Sequence, residues 1–218
     1  MKKNRLLVVD YGMGNLHSVV KGIQKVKVPV FLSSRPSDVK NACGIVLPGV
    51  GAFPDGMREL KKRKLDKAVI AAAKRGVPVI GICLGMQLLF SESLEFGRHA
   101  GLGLIPGKVV RFRPGMKVPH MGWNSANKTK KSALLAGIGE AAYFYFVHSY
   151  YCVPRSEKAV LTKTRYANTI FASSVADGNV SGFQFHPEKS GEKALKIYRN
   201  FYKLCVKEQK PAAVRVAG

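Results

Sequence analysis

Acidic side chains are scarce in this chain. Thirteen Asp and Glu stand against 36 Lys and Arg, a formal net charge of +23 over 218 residues. Such a field draws nucleic acid or acidic surfaces without sequence preference. Yet an arginine stripe interleaved with aromatics is missing, as is any nucleic-acid motif. The lysines are spread through the chain at Lys21, Lys25 and Lys27, Lys61–Lys64, Lys128–Lys131 and Lys193–Lys210. The balance therefore reads as a solvated basic surface, and nucleic acid is not an expected partner. Cysteine is sparse too. Cys43, Cys83, Cys152 and Cys205 lack both metal-ligand spacing and a disulfide pattern, which favours a reduced, cytoplasmic compartment. His17, His99, His120, His148 and His186 show no paired ligand spacing either, so no metal is expected. Long apolar runs are lacking. The opening MKKNRLLVVDYG is basic, then apolar for too few residues to form a signal core or a membrane span.

What the chain does have is enough apolar material for one α/β domain. Hydrophobic residues make up 46%, with 22 Gly and 11 Pro for tight turns. The organising stretch is Pro78–Phe90, PVIGICLGMQLLF. Its first half is β-branched and reads as a buried strand. Its second half, Leu84 to Phe90, has helical composition. Cys83 sits at the joint, with Gly81 and Gly85 two residues to either side. A side chain held on a sharp strand-to-helix turn needs small neighbours, which is the logic of a nucleophile elbow with cysteine in place of serine. The free N–H groups at a helix start favour an anion there. The plainer reading is one more buried thiol in a core strand. His186 and Glu188 shift the balance. They stand two residues apart after the apolar run Gly182-Phe-Gln-Phe, and positions i and i+2 of an extended chain share a side. Nucleophile, base and orienting carboxylate are what cysteine catalysis requires.

Taken in order, Arg5–Asp10 reads as a first central strand, and Tyr11-Gly-Met-Gly-Asn15 as a turn into a helix over Leu16–Val26. The turn lacks the G-x-G-x-x-G spacing and an acidic ribose partner, so a nucleotide is not expected there. Strands follow at Val28–Leu32 and Gly44–Leu47, and helices at Asp55–Arg63 and Leu65–Arg75. Ser91–Gly103 reads as a polar loop. The second half is richer in antiparallel signals: strands at Leu104–Phe112, Lys117–Asn124, Ala142–Val147, Lys158–Lys163, Thr169–Ala176 and Val180–Phe185. Asp177-Gly-Asn marks the last hairpin. A final helix spans about Glu192–Val206, and 207–218 reads as a flexible tail after a single domain over 1–206.

These motifs together carry a resemblance. DYGMGN, PGVGAF, GICLGMQ, PHMGWN, FVHSYY and FHPEKS, in that order over about residues 5–204, resemble the class I (triad) glutamine amidotransferases. Within them the chain is similar to the glutaminase-subunit (HisH-type) family of imidazole glycerol phosphate synthase. The resemblance implies a flavodoxin-like fold, with an open, mixed, mainly parallel sheet flanked by helices and an antiparallel extension. It implies hydrolysis of L-glutamine by Cys83, His186 and Glu188, with no cofactor. Backbone N–H groups of Val50 or Gly51, and of Leu84, would receive the oxyanion. Gly49, Gln87, Glu95, Ser149 and Tyr150 would bind glutamine, Glu95 through its α-ammonium. Asn15, His120, Trp123, Asn124, Tyr145 and Lys189 would face a partner, a (β/α)8-barrel cyclase that receives the ammonia. Two other readings stand beside it. The same glutaminase could feed another acceptor synthase, such as a sugar amidotransferase. A basic module with an idle triad could bind RNA or DNA.

Overall fold

The computed structural model describes residues 4–208. Its centre is a block of short parallel strands. β1 (Leu6–Val9) pairs with β2 (Val30–Ser33) on one side and β3 (Gly44–Leu47) on the other. β4 (Val79–Ile82) continues the block beside β3. β1, β3 and β4 are buried at every position, as expected where helices cover both faces of a parallel sheet. The crossovers are α1 (Leu16–Lys25), α2 (Phe53–Lys62) and α3 (Leu65–Lys74). Successive side chains alternate faces. Leu6 and Val8 pack with Val19 and Ile23 of α1, whereas Leu7 and Val9 pack with Phe53 and Leu60 of α2 and Val69 of α3.

Beyond β4 the chain departs from its local signals. α4 (Leu84–Leu88) ends earlier than its composition suggests, and β5 (Phe90–Ser93) begins almost at once. The cause is tertiary. The carbonyls of Leu88, Leu89 and Phe90 accept N–H groups from Leu102, Leu104 and Gly103 at 2.8, 2.9 and 3.1 Å. They are no longer available to extend a helix. The segment expected as a loop over Ser91–Gly103 therefore holds part of β5 and the short β6 (His99–Ala100), which pair antiparallel.

The extension follows as β7 (Ile105–Arg111), β8 (His120–Lys128), β9 (Ala141–His148), β10 (Tyr150–Pro154), β11 (Val160–Tyr166) and β12 (Thr169–Asp177). β13 (Val180–Phe183) then returns to the parallel block beside β4. The strand expected at Lys117–Asn124 lies further on, at His120–Lys128. β10 had no separate sequence signal. It follows β9 with only Ser149 between, yet β9 pairs with β8 while β10 pairs with β7 and β12. The main order is β2-β1-β3-β4-β13-β12-β10-β7-β5-β6, with β11, β8 and β9 branching from β12. β12 and β13 are joined through Gly178, which sits at φ +55°, where a Cβ is disfavoured.

α5 (Gly191–Glu208) covers the α1 face, with Leu195, Tyr198 and Phe201 in the core. It runs past the expected end at Val206. The rest of the expected tail, 209–218, lies outside the described residues. Among the described residues, Lys61, Lys62 and Lys64, and Lys130 with Lys131, point to solvent from separate elements. No helix among the described residues is long and apolar enough to cross a membrane.

The segment after β13 is anchored by Phe185. Its ring is fully buried and stacks on Phe144 at 3.9 Å between centroids, with Phe183 and Phe146 at 5.3 and 5.6 Å. Replacing Phe185 by alanine leaves a cavity at the root of the His186 segment. Unfolding free energy from denaturant titration is expected to fall by about 3–5 kcal/mol.

Candidate active site

The turn at Cys83 is held open by glycine and held shut by packing. Cys83 has φ 54° and ψ −111°, a conformation that is costly for any residue with a Cβ. A Cβ on Gly81 would lie 2.5 Å from the Gly85 carbonyl oxygen, and one on Gly85 would lie 1.8 Å from that of Leu47. Only glycine permits this crossing of backbones. Cys83 N–H donates to the Phe183 carbonyl at 2.7 Å, which sets the sulfur beside the end of β13.

From that end comes His186. Its N–H donates to the Tyr145 carbonyl at 3.0 Å, and its Nδ1 lies 2.7 Å from Glu188 Oε1. The second carboxylate oxygen, Oε2, accepts from the Tyr198 hydroxyl at 3.1 Å. One 3₁₀ turn, Pro187–Lys189, brings the two side chains together. The carboxylate fixes the imidazole tautomer, with Nδ1 protonated and Nε2 directed away. Nε2 is buried and makes no formed hydrogen bond. It nonetheless lies close enough to Cys83 for the two to interact electrostatically. Burial alone would depress the ring. The charge of the Cys83 sulfur, and then Glu188, outweigh that and push it up to about 10.

Beside the sulfur is a cleft of about 220 Å³ lined by Val50, Gly51, Leu84, Gln87, Glu95 and the 147–150 segment. Drug-sized pockets run to roughly 300–1,000 Å³, so this one suits a ligand no larger than an amino acid. Most residues expected from the sequence to bind substrate converge here. Gln87, buried, donates to the Tyr150 carbonyl at 3.0 Å. Glu95 Oε2 accepts the Phe53 N–H at 2.8 Å, capping α2. Its carboxyl is raised, first by burial and also by nearby Asp55. Gly51 has φ +110°, and a Cβ on Gly49 would meet the Tyr11 hydroxyl at 2.2 Å.

The residues expected at a partner surface divide. Asn15 is exposed and caps α1 by accepting the Ser18 N–H at 3.1 Å. Trp123 is 57% exposed, in register with Tyr145 across β8 and β9. Lys189 Nζ lies 5.6 Å from the centre of the Tyr145 ring. Asn124 is half-buried. His120 requires a correction. It is buried, stacked between Phe146 and Tyr166 at 4.9 and 4.1 Å, so its ring does not form part of a surface. Strand alternation turns it inward where Met121 and Trp123 remain exposed.

His120 instead starts an ordered chain. Asn124 Nδ2 approaches His120 Nε2 at 3.2 Å, His120 Nδ1 meets His148 Nε2 at 3.0 Å, and His148 Nδ1 donates to the Tyr150 carbonyl at 2.8 Å. Burial pushes His120 down to about 4. Burial, with the charges of His120 and His186, outweighs the Tyr150 contact and pushes His148 down to about 3. Sequence reasoning also passed over Tyr11, whose buried hydroxyl donates to the Pro48 carbonyl at 2.7 Å and steadies the Gly49–Gly51 loop. It passed over Gln184 as well, whose Nε2 lies 3.7 Å from the Cys83 sulfur. The available signal for Gln184 was its position two residues before His186.

A cysteine on a strained turn, a carboxylate-bound histidine and an amino-acid-sized cleft thus stand together at one end of this sheet. The model of the "Glutamine amidotransferase class-I" family matches residues 7–205. "Imidazole glycerol phosphate synthase subunit HisH" of Moorella thermoacetica is 49% identical, over 91% of this chain and 94% of that relative. Its namesake in Aquifex aeolicus is 47% identical, over 90% and 95%. Among solved structures, one titled as a glutamine amidotransferase aligns with TM-score 0.74 at 17% identity, over 92% of this chain and 98% of that one. The structure of PurLQS from Thermotoga maritima aligns at 0.72 and 19%, over 93% and 99%. The chain belongs to the class I glutamine amidotransferases, and within them to the HisH family.

The neutral imidazole pair makes stability acid-sensitive. Unfolded histidine titrates near 6.5, so below that pH the unfolded chain binds protons that the folded one refuses. Stability contributed by each ring is present above about pH 6.5 and falls as pH drops toward 4. In His148→Gln, the loss of unfolding free energy between pH 6 and 4.5 is expected to be shallower than in the parent. The difference is about 1.4 kcal/mol per pH unit, one proton's worth, measured by denaturant titration at each pH.

Proposed function

We propose that this chain is the glutaminase subunit of an imidazole glycerol phosphate synthase. It hydrolyses the side-chain amide of L-glutamine to glutamate and ammonia. The ammonia passes to a (β/α)8-barrel cyclase in a heterodimer, which forms imidazole glycerol phosphate and AICAR in histidine biosynthesis. The observation that carries the glutaminase step is the juxtaposition of Cys83, His186 and Glu188 beside the small cleft. The choice of acceptor is supported by the names of the HisH relatives. The sparse, scattered cysteines of the sequence support a cytoplasmic setting.

In this reading the Cys83 thiolate adds to the amide carbon of glutamine. Gln87 and the Ser149 and Tyr150 backbone hold the substrate, and Glu95 binds its α-ammonium. N–H groups of Val50 or Gly51, and of Leu84, receive the developing oxyanion. The imidazolium of His186 protonates the departing nitrogen, so ammonia leaves and a γ-glutamyl thioester remains. Water then attacks the thioester, giving up a proton to His186, and glutamate is released with the sulfur restored. Glu188 keeps the ring in the tautomer that both steps need. Asn15, Trp123, Asn124, Tyr145 and Lys189 supply the docking side, with His120 supporting it from beneath. The names of the HisH relatives favour this reading over a basic nucleic-acid-binding module with an idle triad.

Two measurements test the chemistry. Cys83→Ser is expected to lower glutaminase kcat, assayed with the cyclase partner present, by roughly 10⁴-fold or more. Glu188→Gln is expected to cost about 10²–10⁴-fold in kcat. Because Glu188 helps hold the proton on His186, its alkaline limb of kcat/KM should also begin at lower pH. A limb that stays in place refutes the role given to Glu188.

A further inference from the structure

The amide of Gln184 has one orientation open to it. The Tyr150 carbonyl can only accept, and it receives Gln87 Nε2 at 3.0 Å. Turned over, Gln87 would set its own oxygen against that carbonyl. The same Nε2 reaches Gln184 Oε1 at 3.1 Å. Gln184 must therefore present its Nε2 to its other neighbour, the Cys83 sulfur, at 3.7 Å. His148 tightens the lock, since its Nδ1 donates to the same carbonyl at 2.8 Å. Gln184 is fully buried, and a buried amide is costly unless both of its ends are used.

We infer that Gln184 is a positioning residue for the nucleophile, a fixed neutral N–H donor that holds the Cys83 sulfur in place and favours its anionic form. The inference rests on Cys83 being the nucleophile of the glutaminase reaction. Around the sulfur stand the His186 ring, the Gln184 amide and the Val147 carbonyl, the last at 3.9 Å. The Tyr11 phenol and the Cys152 thiol lie close enough to feel its charge. The carbonyl can accept only from the protonated thiol, whereas the amide N–H gains strength when the sulfur is charged. Gln184 and Val147 thus pull the protonation equilibrium in opposite directions. Unlike His186, Gln184 exchanges no proton, so its effect persists at every pH. Its place one residue beyond β13, level with Cys83, comes from the same strand pairing that positions the histidine.

The test follows iodoacetamide alkylation of Cys83 against pH in the full chain, with the modified residue mapped. Gln184→Met keeps the length and removes the donor. Its alkylation midpoint should rise by about one to two pH units, the worth of one hydrogen bond to an ion. Gln184→Glu places a carboxylate against the sulfur and should raise the midpoint further. In both, kcat for glutamine should fall by about tenfold or more, with KM little changed. Thermal unfolding is recorded alongside. A role in packing alone would lower Tm and leave the midpoint in place, and an unmoved midpoint in whichever variant folds overturns the inference. Cys83→Ser separates the two levels. If that variant still hydrolyses glutamine, the nucleophile assignment fails and this inference with it. If it does not, an unmoved midpoint removes only the role of Gln184.

Discussion

The site depends on the parallel pairing of β4 with β13. These strands lie about a hundred residues apart in sequence, yet Gly81 is in register with Gly182 and Ile82 with Phe183. Carrying that register one step further sets Gln184 level with Cys83. The link is made directly by the Cys83 N–H on the Phe183 carbonyl at 2.7 Å. Glycine makes the pairing usable on its outer side too. A Cβ on Gly182 would lie 2.6 Å from Met86 Cγ, so α4 can rest on β13 only because that position is bare. Cys83, Gln184 and His186 all emerge from the carboxyl ends of two neighbouring parallel strands. This is the place where open α/β sheets gather ligands.

Two kinds of histidine follow from two kinds of surroundings. His186 is as buried as His120 and His148, and burial by itself disfavours the charge on all three. Only His186 has a carboxylate on one nitrogen and a sulfur near the other, so only there do the neighbouring charges win. His120 and His148 meet an amide, a carbonyl and each other, and remain neutral. Their hydrogen bonds run in one direction from Asn124 to the Tyr150 carbonyl, which also accepts from Gln87; the same Gln87 amide donates to Gln184, whose own Nε2 faces the Cys83 sulfur. The half-buried side of the β8–β9 pair is thereby joined to the cleft beside Cys83 through neutral donors and acceptors alone. Glu188 is as fully engaged, between His186 and the Tyr198 hydroxyl of α5. The longest helix of the described chain thus takes part in orienting the His186 ring.

Much of the parallel half could be read from the sequence because its signals are local. Four short apolar runs, each followed by a turn and a helical segment, admit few other arrangements. The elbow was readable for the same reason. Gly81 and Gly85 flank Cys83, and their spacing already implies a turn too tight for side chains. The extension was less readable. β9 and β10 form one continuous apolar run that changes partner at Ser149, and nothing in the run marks the change. α4 stops early because residues 102–104 claim its carbonyls, a contact that no window around residue 88 contains.

The sequence alone determined which chemistry is available: a thiol between glycines, a histidine with a carboxylate two residues on, and a chain with enough apolar content to bury both. These are properties of neighbouring residues, and short-range sterics and hydrogen bonding settle them. Tertiary structure decided which distant groups meet. It placed Gln184 on the sulfur, turned His120 inward against His148, and pressed Tyr11 beneath the Gly49–Gly51 loop. Those contacts follow from strand register and packing between segments tens to a hundred residues apart. Register is set by the fit of whole faces rather than by any local pattern.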